Sequence, residues 1–218
     1  MEKTQTLKMA IFSLLLLLFI GCAGPGIPVR DEVKVDMKAP VGKIEGNQFT
    51  GIRYPFNVSA PPGWQVTTKY PEFMLKLGYD KEGLDESEVI VFNPVTQSHV
   101  QIDFTPAGRY STFDQPKMEW LTHVAGDSFA SEFRKDYGKN VPFEISATKP
   151  YPLKGVPFAA KRYTTYTIKG IKREHGWVYA FVEPYQIFII YMTLEKEGSN
   201  DSQAIKAILD SFEVVTRK

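Results

Sequence analysis

The chain has 218 residues, with 26 Lys+Arg against 25 Asp+Glu and a formal net charge of +1. That balance creates no broad field of one sign and excludes recognition of nucleic acid or anionic lipid by bulk electrostatics. The single cysteine excludes an intrachain disulfide.

In chain order, the first feature is a basic start, Lys3 and Lys8, followed by an apolar run from Met9 to Ile20 broken by Ser13. A spanning helix needs roughly 20 apolar residues, and this run is shorter. With Gly21 and Ala23 at its end it reads as a cleaved export signal. Its last residues, "FIGC", resemble the bacterial lipoprotein signal, in which an aliphatic residue, a variable one and Gly or Ala precede cysteine. Ile20 and Gly21 match, and Phe19 stands where leucine is usual. The resemblance implies a signal peptide over 1–21 and acylation of Cys22 as the first mature residue. A thiolate suits that transfer, and each buried acyl methylene contributes about 0.8 kcal/mol to anchoring. Ala23 in place of Asp implies the outer membrane with the domain facing the periplasm, the outer leaflet of the cytoplasmic membrane being the alternative. A plain secreted protein or an uncleaved signal anchor are the other readings of the same stretch.

Residues 22–47 mix Gly, Pro and charges without a sustained period and read as a flexible tether, or as a leading edge strand through Val33 and Val35. Residues 48–218 form one predicted domain of about 170 residues, enough for a single core. Strands are predicted at Phe49 to Tyr54 and Phe56 to Ala60, stopped by Pro61, Pro62 and Gly63. A hairpin follows, Glu88 to Phe92 and His99 to Thr105, turning at Asn93 and Pro94. A long helix then runs from Pro116 in its first turn to a stop at Gly138. Met118, Leu121, Ala125, Phe129 and Phe133 repeat at helical steps as its packing face. Residues 142–153, 156–168, 171–184 and 185–195 read as further strands, with a tight turn at Lys169 and Gly170. The last of them is apolar on both faces, as befits a central strand. A final helix carries Ala204, Ile205, Ile208 and Leu209 as a stripe, with Asn200 and Gln203 at capping-box spacing. Strand runs with few helices predict an α+β fold, a largely antiparallel sheet packed by one long central helix and a C-terminal helix.

The opening "YPFNVSAPPGWQV" resembles the F-x-V-x-x-P-x-x-W start of PsbP-like domains, and "AIKAILDSFEVV" resembles their closing helix. Those domains include extrinsic photosystem II subunits and bacterial exported lipoproteins. The resemblance implies a PsbP-like α/β sandwich. Its motif residues, Trp64 and Phe212 among them, are expected in the core, so no functional residue is carried across.

No catalytic residue emerges. Ser128 lies near His123 and Asp127, but Ala130 breaks the G-x-S-x-G elbow. At about 100° per helical residue, His123 and Asp127 share a polar side that Ser128 leaves. His123 and Asp127 also stand at metal-ligand spacing, with His99 or His175 as third donors, but a solvated helix face explains them, and no metal is assigned. Asp80, Glu82, Asp85, Glu86 and Glu88 lack calcium-loop spacing and read as a solvated loop. Trp177, Tyr179 and Phe181 alternate along one strand and so share a face, with Tyr163, Tyr166, Tyr185 and Tyr191 on neighbouring strands. They either pack beneath a helix or line an aromatic groove for a ligand or partner. Lys172, Arg173 and Glu174 are placed on a turn, where they either form the groove's polar rim or simply solubilise a hairpin. The sequence therefore points to a non-catalytic binding domain, an accessory or assembly factor of an envelope complex. Its expected partners are a membrane, through the lipid, and an envelope protein, with no cofactor and no nucleic acid. The alternatives are a small-molecule or metal-binding lipoprotein, or an unrecognised hydrolase.

Overall fold

The computed structural model describes residues 29–76, 89–195 and 199–215. The signal, Cys22 and the acidic stretch from Asp80 to Glu88 lie outside them. Residues 29–31 and Gly108–Thr112 belong to a small unit of their own, in which the Arg30 N–H donates to the Arg109 carbonyl at 2.9 Å. The description below concerns the larger unit.

Its strands are β1 (Gly42–Glu45), β2 (Gln48–Gly51), β3 (Phe56–Ser59), β4 (Gln65–Thr67), β5 (Val89–Phe92), β6 (His99–Pro106), β7 (Phe143–Ile145), β8 (Lys149–Pro150), β9 (Phe158–Ile168), β10 (Ile171–Val182), β11 (Tyr185–Glu195) and β12 (Glu213–Val214). Its helices are α1 (Glu72–Lys76), α2 (Gln115–Tyr137) and α3 (Asp201–Ser211). A four-stranded sheet has the order β1-β2-β3-β12. An eight-stranded sheet has the order β4-β5-β6-β11-β10-β9-β7, with β8 also paired to β9. All named pairings are antiparallel. The α+β class predicted from the sequence is the observed one.

Local chemistry accounts for the elements. Asp114 caps α2 by accepting the Lys117 N–H at 2.8 Å, Pro116 sits in the first turn, and Gly138 ends the helix at φ 80°. Lys169 (φ 52°) and Gly170 (φ 76°) make the two-residue turn between β9 and β10, where both central residues need positive φ. Asn93 turns the β5–β6 hairpin by accepting N–H bonds from Val95 and Thr96.

The main core fills the space between one face of the large sheet, the small sheet and α3. Phe56, Val58 and Trp64 meet Val100, Ile102 and Phe104 from β6, Val178 and Ala180 from β10, and Ile187, Ile189 and Tyr191 from β11. Ile205, Ile208, Leu209 and Phe212 seal it from α3 and the chain beyond. Burying each such side chain contributes roughly 1.5–3 kcal/mol. The alternate residues of β10 face the other way, toward α2, where Met118, Ala160 and Phe181 form a second cluster.

Several expectations shift. Strand β1 falls in the stretch read as tether, and Val35 and Val41 pack against the main core. The run from 142 to 153 breaks into β7 and β8, and β4 and α1 carry too few residues for a periodic signal. Asn200 makes no side-chain cap; its amide donates to the Gln203 side chain. The buried Asp201 anchors that helix end instead, accepting from the Ser98 hydroxyl at 2.6 Å and the Asn93 amide at 3.2 Å. Lys172, Arg173 and Glu174 lie within β10 rather than on a turn. Glu174 accepts the Tyr191 hydroxyl at 2.8 Å.

Candidate functional site

Helix α2 presents small residues to the sheet. Its buried positions are Met118, Thr122, Gly126 and Phe133, while Leu121, Ala125 and Phe129 are only partly covered. The predicted face is thus rotated toward Thr122 and Gly126. The reason is the bulk beneath: a Cβ on Gly126 would stand 2.7 Å from the Trp177 ring and 2.8 Å from the Arg162 guanidinium. Trp177 donates its indole N–H to the Thr122 carbonyl at 2.8 Å. The Thr122 hydroxyl bonds the Met118 carbonyl at 2.7 Å. Arg162, only 7% exposed, donates to the carbonyls of Ser146 (3.0 Å) and His123 (2.8 Å) and to Asp127 Oδ1 (2.9 Å). These bonds fix α2 over β9 and β10 and set the width of what lies beside it.

Beside it is a groove of about 430 Å³, walled by α2 and floored by β10 and β11. Leu121, Ala125 and Phe129 form the wall, and Trp177, Tyr179, Phe188 and Ile190 the floor. Tyr179 and Phe188 hold their rings 4.3 Å apart. Burial, helped by the Asp103 carboxylate, raises the Tyr179 phenol above its ordinary range, so it stays protonated. Ser128 and Glu132 line the groove from exposed positions on α2, with Trp120 and Val124, 54% and 41% exposed, also on its lining.

His175 lies at one end of this floor. Its ring meets Phe129 edge-on at 4.4 Å and Trp177 at 5.9 Å. Its Nδ1 is buried and has no hydrogen-bond partner among the described residues. Burial first, and His99 second, push its pKa down to about 4. The folded protein therefore binds fewer protons than the unfolded chain between pH 6.5 and about 4, so this part of the stability is lost as the pH falls through that window. His99 is shifted in the same direction by burial. Urea unfolding across this range should show stability falling with pH by at most about 1.4 kcal/mol per unit for one such group. His175→Phe should flatten the slope, and an unchanged slope would show that another group carries it.

Of the residues predicted for a site, Trp177 and Tyr179 line the groove. Phe181 does not: it stacks on Phe113 at 4.5 Å. Tyr166 packs against Phe133 at 4.7 Å, Tyr185 against Tyr54 at 5.3 Å, and Tyr191 lies in the main core. Ser128, which the helical spacing takes off the polar side of His123 and Asp127, is nevertheless exposed. Asp127 is shared between Arg162 and His123, the latter at 3.3 Å. His175 belongs to the groove, and among the described residues no three His, Cys, Asp or Glu side chains stand together in a set that could hold a metal ion. His175 and Ser128 were visible in the sequence as possible chemistry but not as neighbours of Trp177. His175 shares the Trp177 face of β10 through the two-residue repeat of a strand, while Ser128 reaches the groove because the packed face of α2 is turned toward Thr122 and Gly126.

The two sheets, the long helix on one face and the C-terminal helix on the other define a PsbP-like α+β sandwich. Among solved structures the chain is similar to cyanobacterial PsbP (CyanoP) from Synechocystis sp. PCC 6803. That match has a TM-score of 0.52 and 11% identity over 81% of this chain and 100% of that one. It is also similar to LpqN, involved in cell envelope biogenesis of Mycobacterium tuberculosis (TM-score 0.47, 14% identity, 74% of this chain and 83% of that one). A point mutant of the protein Mog1 matches at a TM-score of 0.41 and 9% identity, over 74% and 91% of the two chains. At these identities the likeness is one of fold. No family model matches, and neither does any curated protein sequence.

Proposed function

We propose that this is a lipid-anchored cell-envelope protein whose domain acts by binding rather than catalysis, as an accessory factor of an envelope complex. The observation that carries the binding role is the groove between α2 and β10–β11, with an aromatic floor and two large apolar side chains, Trp120 and Val124, left exposed on its lining. Exposed apolar side chains grouped around a groove favour a partner that covers them. No described helix is long and apolar enough to cross a membrane. Attachment in this reading comes from Cys22 in "FIGC", at the outer membrane with the domain in the periplasm.

A photo-crosslinking residue placed at position 120 or 124 tests the partner surface. The expected result in intact envelopes is a discrete protein adduct from both positions and none from Lys206, on α3. Adducts of equal yield from all three positions would remove this surface from the reading. The anchor has its own test. Mass spectrometry should find an acylated peptide beginning at Cys22, whereas Cys22→Ser should lack the acyl mass and keep residues 1–21. A mature chain with a free Cys22 thiol would end the lipoprotein reading.

A further inference from the structure

We propose that the groove between α2 and the β10–β11 floor holds a small uncharged molecule, apolar over most of its surface, with one hydrogen-bond acceptor engaged by His175. This rests on the reading of the groove as the domain's binding site and names its occupant.

Size comes first. A volume of about 430 Å³ lies within the roughly 300–1,000 Å³ of small-molecule sites. Charge comes second. Among the described residues, the single charged side chain on the lining is Glu132, and the Asp103 carboxylate acts on Tyr179 in the floor. No described lysine or arginine lines the groove itself; Lys117 Nζ stands at its rim, 4.3 Å from the centroid of the Trp120 ring, so an anionic head group would find no cation on the apolar floor. Glu132 is itself exposed and solvated, which leaves little reason for a cation to give up water for an apolar floor.

The polar anchor follows from the histidine. A neutral imidazole has one N–H and one lone pair. Nδ1 is buried without a partner among the described residues, and an orphaned buried N–H is rarer in proteins than an under-satisfied acceptor. The proton therefore belongs on Nε2, and Nδ1 keeps the lone pair. His175 then offers the groove a donor and no acceptor. A ligand that complements it carries a carbonyl, ether or hydroxyl oxygen on an otherwise apolar frame. Tyr179, held protonated, is a second donor along the same floor.

Benzophenone and diphenylmethane form a matched probe pair: the same two rings joined by C=O or by CH2. Benzophenone also labels its site on irradiation. With the full chain in phospholipid nanodiscs, labelling should saturate and map to peptides containing Leu121, Val124 or Ile190. His175→Phe should raise the half-saturating benzophenone concentration at least tenfold. The diphenylmethane concentration needed to compete should change less than twofold, since it makes no polar contact. Ser128→Trp, at an exposed helix position, should fill the groove and abolish labelling while leaving the melting curve in place. The inference is overturned if labelling misses these peptides, fails to saturate, survives Ser128→Trp, or responds to His175→Phe equally for both compounds. Protein adducts from positions 120 and 124 would persist through any of those failures, so the partner reading stands or falls separately.

Discussion

Gly176→Ala is expected to destabilise the domain by about 3 kcal/mol, the upper end of the usual overpacking range, or a fall of roughly 6–12 °C in Tm for a chain of this size. Gly176 lies opposite Tyr191 in the β10–β11 register, and a Cβ there would stand 2.1 Å from the tyrosine ring. The ring cannot swing clear. It is fully buried, its hydroxyl is tied to Glu174 at 2.8 Å, and Lys161 Nζ stands 4.8 Å from its centroid. A second substitution tests the cause. Combining Gly176→Ala with Tyr191→Val should destabilise less than the sum of the two single changes, by an interaction of about 1–3 kcal/mol. Strict additivity in thermal melts would mean that the glycine is needed for some reason other than room for the ring.

Arg162→Met is expected to be of similar size, about 3 kcal/mol. It keeps the apolar stem but removes donors from two carbonyls, Ser146 and His123, and each buried group left unmatched costs about 1–3 kcal/mol. Asp127→Asn should cost less than about 1 kcal/mol, because that carboxylate is 61% exposed. Arg162→Lys should recover little, since one ammonium cannot reproduce the fork that reaches both β7–β8 and α2. Urea midpoints for the three variants check the order. An Asp127→Asn cost equal to that of Arg162→Met would move the weight from the carbonyl bonds to the ion pair. Loosening α2 also moves the groove wall, so Arg162→Met should weaken benzophenone labelling while the residues lining the floor remain unchanged.

Features set by neighbours in sequence were legible before the structure. The ends of α2 follow from Pro116 and Gly138, and the β9–β10 turn from Lys169 and Gly170, because such signals act on their own backbone locally; the Asp114 cap emerged only from the structure. The shared face of Trp177, Tyr179 and Phe181 follows from the two-residue repeat of a strand. What the repeat cannot tell is how far a helix covers that face. Phe181 falls under Phe113, while Trp177 and Tyr179 line the groove, and the difference is set by where α2 lies. Hydrophobic spacing favours Leu121 and Ala125 as the contact line, yet Thr122 and Gly126 hold it, because the indole and guanidinium below leave no room for more. Short elements escaped for a different reason. Strand β1 has four residues, among them Lys43 and Glu45, and its pairing with β2 rather than its composition makes it a strand.

Strand β12 pairs with β3 across most of the length of the chain: Val214 stands opposite Phe56, and the Val215 N–H donates to the Pro55 carbonyl at 2.8 Å. The early strand thus waits for a partner made much later in the chain. A polypeptide that emerges N-terminus first from a ribosome holds this edge of β3 unpaired until β12 is out. Contacts this distant in sequence also form slowly. The topology itself therefore delays closure of the core until that late pairing forms.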